Sequence, residues 1–206
     1  VAKASLASQV SGQYAAMWRA TAIPAQGAIP VAAANCNALT LGATPLPVRT
    51  GAQKRLLTGA KIASSQGGTG VVVEDRLQHM GGLSGTVITA QTVNVDVSVV
   101  TDNMVERIGS PDYSDVEWWA EWYTATGATI VTPSFAITHG DGTTGTGHIF
   151  NAGTQAYPAT VAASRRYQIT SDVGKPIRSI QSVTQATTGT AGNFDVTAER
   201  RLVTMV

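Results

Sequence analysis

Short stretches of alternating apolar and polar residues, separated by glycine-rich segments, recur along most of this chain. In residues 92–100 every second side chain is a valine, which is typical of a strand with one face in a core. The valines predicted to face that core are Val93, Val95, Val97 and Val99. Residues 55–64, 71–77 and 177–185 also predict strands, and a last strand begins at 194–198.

A strand rich in aromatic residues is predicted over 116–124. One of its faces carries Val116, Trp118, Ala120 and Trp122, and the other carries Glu117, Trp119, Glu121 and Tyr123. A tight connection at 124–127 predicts a hairpin with a second strand over 129–138. Because Pro133 lies inside that second strand, we expect the strand at a sheet edge.

Three glycine-rich segments separate these patterns, at 65–70, 80–85 and 140–147, and we interpret all three as loops or turns. Together the patterns amount to about eight strands with no strong interior helix. This count and spacing predict an all-β protein with a jelly-roll-like or sandwich domain.

The N-terminal part of the chain has a different character. Ala, Ser and Gln dominate residues 5–20, where apolar side chains occur near helical spacing but Gly12 weakens a single helix. Pro24 and Pro30 end regular structure. We therefore predict an N-terminal arm and wrapping loop over 1–53, as a short helix or extended segment, followed by a β-sandwich domain over 54–206.

Charge and cysteine content narrow the classes of function. Of the 206 residues only 13% are charged, and the net charge is +1. The paired basic residues are isolated rather than clustered, so we do not expect nucleic acid as a partner. No apolar run reaches the length of a membrane span, and residues 1–6 lack the apolar region of a signal peptide. Cys36 is the single cysteine, which fits assembly in a reducing cytoplasm.

The sequence offers few groups for catalysis or metal binding. Neither 67–70 nor 140–147 ends in the Lys of a phosphate-binding loop. Asp141 lacks acidic neighbours for a calcium loop, and His139 and His148 lack a third zinc ligand nearby. Glu117 and Glu121 would lie roughly 13 Å apart on one strand, too far for a glycosidase pair. We predict no enzyme, no catalytic residue, no cofactor and no metal.

The outer face of the aromatic strand has three interpretations. Trp119 and Tyr123 could form a platform on which sugars stack, as in a carbohydrate-binding module. They could equally form a subunit contact, because aromatic residues are enriched at interfaces. The third interpretation is that both faces of a central strand are simply covered within the domain.

Three parts of the chain resemble virion structural proteins of tailed bacteriophages: residues 74–86 with 89–92, residues 117–127, and residues 177–183 with 188–194. The resemblance implies a particle component, most directly a capsid decoration (cement) protein located in the virion and assembled in the host cytoplasm. A tail, neck or fibre-base component is the alternative. The implied partners are the major capsid protein or other virion proteins, and a homo-oligomer, with a trimer favoured. The candidate assembly-interface residues are Tyr14, Met17, Trp18, Trp119 and Tyr123.

Overall fold

The computed structural model describes residues 2–4, 6–7, 9–37, 40–44, 61, 70–99, 104–189 and 191–205. Four two-residue strands lie in the N-terminal part: β1 (Ala2–Lys3), β2 (Tyr14–Ala15), β3 (Ala22–Ile23) and β4 (Ala34–Asn35). Eight longer strands follow: β5 (Val71–Ser84), β6 (Gln91–Asp96), β7 (Val116–Trp122), β8 (Pro133–His139), β9 (Thr144–Phe150), β10 (Arg165–Ser171), β11 (Ile177–Gln185) and β12 (Asn193–Met205). The described helical segments are a 3₁₀ turn (Met17–Arg19) and one turn of α-helix, α1 (Met104–Arg107).

The eight longer strands form one rolled antiparallel ribbon. The first four pair with the last four in reverse order, β5 with β12, β6 with β11, β7 with β10 and β8 with β9. Rolling this ribbon adds the pairs β12 with β7, β10 with β9 and β11 with β8. This strand order is that of a jelly roll, so the predicted all-β fold class is confirmed.

The roll is nearly closed, and side-chain amides bridge the gap between β5 and β6. The Gln91 side chain donates to the carbonyl of Ser84 at 2.9 Å and accepts from the Ser84 N–H at 2.7 Å. Farther along, the Gln78 side-chain oxygen accepts from the N–H of Asp96 at 2.7 Å. These bonds satisfy backbone groups that a continuous ladder would otherwise pair.

The interior of the roll is apolar and aromatic. Its largest fully buried apolar side chains are Trp118, Trp122, Tyr157, Phe135, Phe194, Leu77, Ile137, Ile149 and Ile180. The predicted inner face of the aromatic strand is confirmed, since all four of its members belong to this core. Val93, Val95 and Val97 are buried as predicted, but Val99 is 51% exposed because β6 ends at Asp96.

Two glycine-rich segments predicted as connections are largely strand. β5 continues through residues 80–84, and β9 begins at Thr144 within the segment 140–147. A Cβ on Gly81 would lie 2.8 Å from Ile29 Cγ2, and one on Gly145 would lie 2.5 Å from His139 Cε1. These glycines therefore admit a close neighbour within a strand rather than forming a turn.

The predicted hairpin of 116–124 with 129–138 is wrong. β7 pairs with β12 and β10, whereas β8 lies between β9 and β11. Pro133 is not on an edge strand, and it is tolerated because it is the first residue of β8. The strand predicted over 55–64 lies outside the described residues except for Lys61, and the division at residue 53/54 stays a prediction.

Candidate functional site: a strap across a charged sheet face

Residues 9–37, which we call the strap, cross the outer face of the four-stranded half β5–β12–β7–β10. Strand β2 pairs with β10 at Arg165 and Arg166, beyond the point where β9 stops pairing with β10. Strand β4 pairs with β5 at Gln78 and His79, where β6 leaves the edge open. The strap therefore covers both open edges of this half-sheet, positions at which unpaired strands invite unwanted association.

Aromatic side chains hold the strap against the sheet. Tyr14 packs on Trp119 with ring centroids 5.2 Å apart. Trp18 lies against the Arg76 guanidinium, whose carbon is 4.5 Å from the ring centroid, and meets the His79 ring edge-on at 5.7 Å. Such cation–π and edge contacts each stabilise a structure by about 0.5–2 kcal/mol.

Gly27 makes room for the Trp18 indole, since a Cβ at this position would overlap the ring. We expect Gly27→Ala to destabilise the protein by about 1–3 kcal/mol, because the indole must leave its place on Arg76. In a Trp18→Ala background the same substitution should have almost no effect. Chemical denaturation of the two single variants and the double variant measures this coupling. Additive effects would show that Trp18 does not depend on Gly27.

Beneath the strap lies a charge cluster of six side chains from four strands: Glu74 and Arg76 on β5, Glu121 on β7, Arg166 on β10, and Asp195 and Glu199 on β12. Arg76 contacts three carboxylates at once. Its guanidinium lies 2.9 Å from Glu121, 3.2 Å from Glu199 and 2.5 Å from Asp195. The hydroxyl of Tyr123 also donates to Asp195.

Arg166 forms the second centre of the charge cluster. Its Nη1 lies 2.6 Å from Glu74, and its Nη2 donates to Glu199. The same guanidinium stacks on Trp119, 4.1 Å from the ring centroid. Glu199 is thus shared by both arginines, and Trp119 connects Arg166 to Tyr14 of the strap.

Antiparallel register places these groups side by side. Glu121 is directly opposite Asp195 on β12 and Arg166 on β10. Residue 76 is likewise opposite residue 199. Directly opposed side chains on one sheet face have Cβ atoms about 5 Å apart, which is close enough for ion pairs.

Burial and charge shift the carboxyl pKa values in opposite directions. Burial, followed by the nearby Glu199, raises the pKa of Glu74 to about 8. Burial also raises the pKa of Asp195 well above its ordinary value, although Arg76 opposes the shift. For Glu199 burial acts upward too, but Arg166 and Arg76 outweigh it and hold the pKa at about 2.

The five predicted interface residues fall into two groups. Trp119 and Tyr123 are 2% and 8% exposed, because the strap lies over them. Trp18 is half-buried against the sheet, whereas Tyr14 and Met17 are exposed on the strap. Trp119 and Tyr123 therefore offer no surface to a sugar or a partner while the strap is in place.

The outward side of the strap is uncharged and carries several large apolar side chains among neutral polar ones. Between residues 4 and 44 the sequence holds one charged residue, Arg19. Arg19 is turned inward, donating to the carbonyl of Gly27 and lying 5.8 Å from the Tyr123 ring centroid. The exposed large apolar side chains of the strap are Val10, Tyr14, Met17, Ile23, Ile29 and Val31.

A second polar feature is an open depression of about 490 Å³ beside the turn between β8 and β9. His139 is buried at its base, 2.9 Å from Ser171 Oγ and 3.1 Å from Thr143 Oγ1. Asp141 accepts from Thr143 and from Lys175 at 2.7 Å, and Lys175 holds the Asp141 pKa below its usual range. In the described part of the chain, no group of three or more His, Cys, Asp or Glu is placed to hold a metal.

Comparison of the chain with protein-family models, curated proteins and solved structures finds no match. Among the described residues no helix is long and apolar enough to span a membrane. The function is therefore inferred from the surfaces of the molecule itself, above all from the strap and the charge cluster beneath it.

Proposed function

We propose that this protein is a non-enzymatic virion structural protein, which decorates and stabilises a phage capsid through subunit contacts. The observation that carries the proposal is the uncharged outer side of the strap, with its six exposed large apolar side chains. Apolar surface of this kind marks protein–protein contact sites. The resemblance of residues 74–86 and 117–127 to virion proteins supports the same role.

The proposed mechanism is burial of apolar strap side chains at subunit junctions. Each square ångström of apolar surface removed from water contributes about 25 cal/mol. A nearly neutral chain can pack in many copies without the mutual repulsion of a highly charged protein. The proposed partners are the major capsid protein or other virion proteins, together with further copies of the chain in a symmetric oligomer, with a trimer favoured.

A carbohydrate-binding role has less support, because Trp119 and Tyr123 lie beneath the strap. A tail, neck or fibre-base role would use the same apolar surface and is distinguished by copy number. Decoration requires hundreds of copies per particle, whereas tail or neck copies follow the low-order symmetry of the tail. Quantitative gel analysis of purified virions gives this number, and absence of the protein from particles would refute both structural roles.

We expect Ile23→Asp and Val31→Asp to weaken binding to particles that lack the protein by at least about tenfold each. The reason is that a carboxylate must then be desolvated at the contact. Val173→Asp is the matched control, since Val173 is 61% exposed, comparable to 71% for Ile23, but follows β10 outside the strap. Co-sedimentation with particles measures binding. Equal binding by all three variants would show that the strap is not the contact.

A further inference from the structure

The charge cluster is unbalanced. Among the described residues, four buried or largely buried carboxyl groups face two guanidinium groups; a third guanidinium, that of Arg201 opposite Glu74, pairs with a fifth carboxylate, Glu117, so full ionisation would still leave two negative charges in excess. Uncompensated charge is strongly unfavourable in a buried site, and carboxyl groups there keep a proton instead. The pKa values of Glu74 and Asp195 are raised, as this retention of a proton requires. The closed structure therefore holds protons that these carboxyl groups would lose in water at neutral pH.

Other titratable or charged groups also face the cluster. Tyr123 donates to Asp195, and His79 contacts both Arg76 and the strap's Trp18. Arg201 contacts Glu117 at 3.0 Å on the more exposed rim. On the strap, Tyr14 lies on Trp119 and Arg19 lies near Tyr123. The strap's own single cation, Arg19, does not contact a cluster carboxylate.

The strap supplies the cover that keeps water away from the cluster. Trp18 lies on Arg76, and Tyr14 lies on Trp119, which in turn stacks on Arg166. If the strap lifts, both guanidinium groups and their carboxylates become hydrated. Glu74 and Asp195 can then ionise near their ordinary pKa values.

We propose that the strap and the charge cluster form a pH-dependent latch: the strap stays closed while the cluster retains its extra protons, and it opens when they are lost. The strap's pairing with β10 and β5 is short, two residue pairs at each end extended by one backbone hydrogen bond each, from Ala16 to Ser164 and from Cys36 to Leu77, so the side-chain contacts over the cluster hold the segment between these ends. The latch is a property of the isolated chain and does not require the proposed virion role.

The direction follows from proton linkage. The pKa of Glu74 is about 8 in the closed state against an ordinary value of 4.5, so the closed state binds more protons between these limits. For each proton that only the closed state holds, the closed-to-open ratio should therefore fall about tenfold per pH unit within that range, and less steeply near pH 8. His79 acts oppositely, because burial and then Arg76 lower its pKa from 6.5 to about 3. Above pH 6.5 the opposing effect of His79 is at most about twofold, so the carboxyl effect dominates the interval from 6.5 to 8.

Hydrogen exchange followed by mass spectrometry tests the latch on the full chain. At each pH the exchange of strap peptides (residues 9–37) is corrected for the intrinsic chemical rate and compared with peptides from β7. We expect strap opening to increase by at least about tenfold from pH 6.5 to 8, while β7 changes much less. Strap opening that is equal at both pH values, or that only parallels β7, would overturn the proposal.

Glu74→Gln places a neutral amide where the protonated carboxyl group lies, so the Glu74 share of the increase in opening, about tenfold, should disappear. Glu106→Gln is the matched control, since Glu106 is an exposed residue of α1 and takes part in none of the ion pairs of the cluster. That variant should keep the response of the natural chain. A full pH response in Glu74→Gln would refute the assignment to Glu74. Should that variant not fold, the comparison of strap with β7 in the natural chain still decides between a latch and none.

Discussion

Replacing Arg76 with methionine is expected to lower the free energy of unfolding by about 3–5 kcal/mol. Methionine keeps much of the side-chain volume but leaves Glu121, Asp195 and Glu199 without their shared cation. Removing one partner of a buried ion pair has an effect of this size because the remaining charge is uncompensated. Urea or guanidinium denaturation at pH 7 measures it.

Lys175→Met is the control for the loss of a cation. Lys175 pairs with Asp141 at 2.7 Å, but both side chains are nearly half exposed. Exposed pairs contribute at most about 1 kcal/mol, so this variant should remain close to the natural chain. The effect of Arg76→Met should also shrink toward pH 4, where protonation neutralises the carboxylates left behind. A similar small change in both variants would mean that the charge cluster is not a buried unit.

The sequence predicted which side chains of a strand face the core better than it predicted which strands pair with each other. Alternation in residues 116–123 correctly separated the inner side chains from the outer ones, because a strand's period of two is a local property. The predicted hairpin with 129–138 failed because pairing in a jelly roll joins strands far apart in the chain. The glycines of β5 and β9 were predicted in turns for a related reason. The side chains that lie against them, Ile29 and His139, are brought there by the tertiary structure.

The charge cluster could not be predicted, although its members are visible in the sequence. The alternation places Glu121 on the outer face, where a carboxylate is normally solvated. Its burial depends on Arg76, on Arg166 and on a strap that begins more than 100 residues earlier. One signal was available: charged residues at 74, 76, 195 and 199 lie in strands, while the arm has almost no charge and carries Tyr14 and Trp18.

The strap both stabilises the half-sheet β5–β12–β7–β10 and carries the surface proposed for subunit contacts. By pairing with β10 and β5 it protects both edges of one half-sheet, and its inward aromatic residues enclose the charge cluster. The same segment turns its apolar residues outward, toward the proposed subunit contact. A contact on the strap would therefore also hold the strap closed, since binding stabilises the state that binds.

Trp122→Ala is expected to lower the free energy of unfolding by about 3–5 kcal/mol through a different cause, a cavity in the apolar core. Trp122 is 1% exposed and packs on Tyr157 and Phe194, with ring centroids 5.0 and 4.9 Å away. Gly192 fits against the same indole, because a Cβ there would lie 2.6 Å from it. Thermal and denaturant unfolding should both show the loss.

Phe150→Ala is the matched control, since Phe150 is an aromatic residue on β9 that is 64% exposed. Its truncation should change the free energy of unfolding by less than about 1 kcal/mol, because little contact is lost. The penalty of Trp122→Ala should persist from pH 4 to pH 7, unlike that of Arg76→Met, because no charge is left unpaired. A Trp122→Ala effect as small as that of Phe150→Ala would mean that the roll does not close around Trp122. This contrast in pH dependence separates the two sources of stability, packing inside the roll and ion pairing beneath the strap.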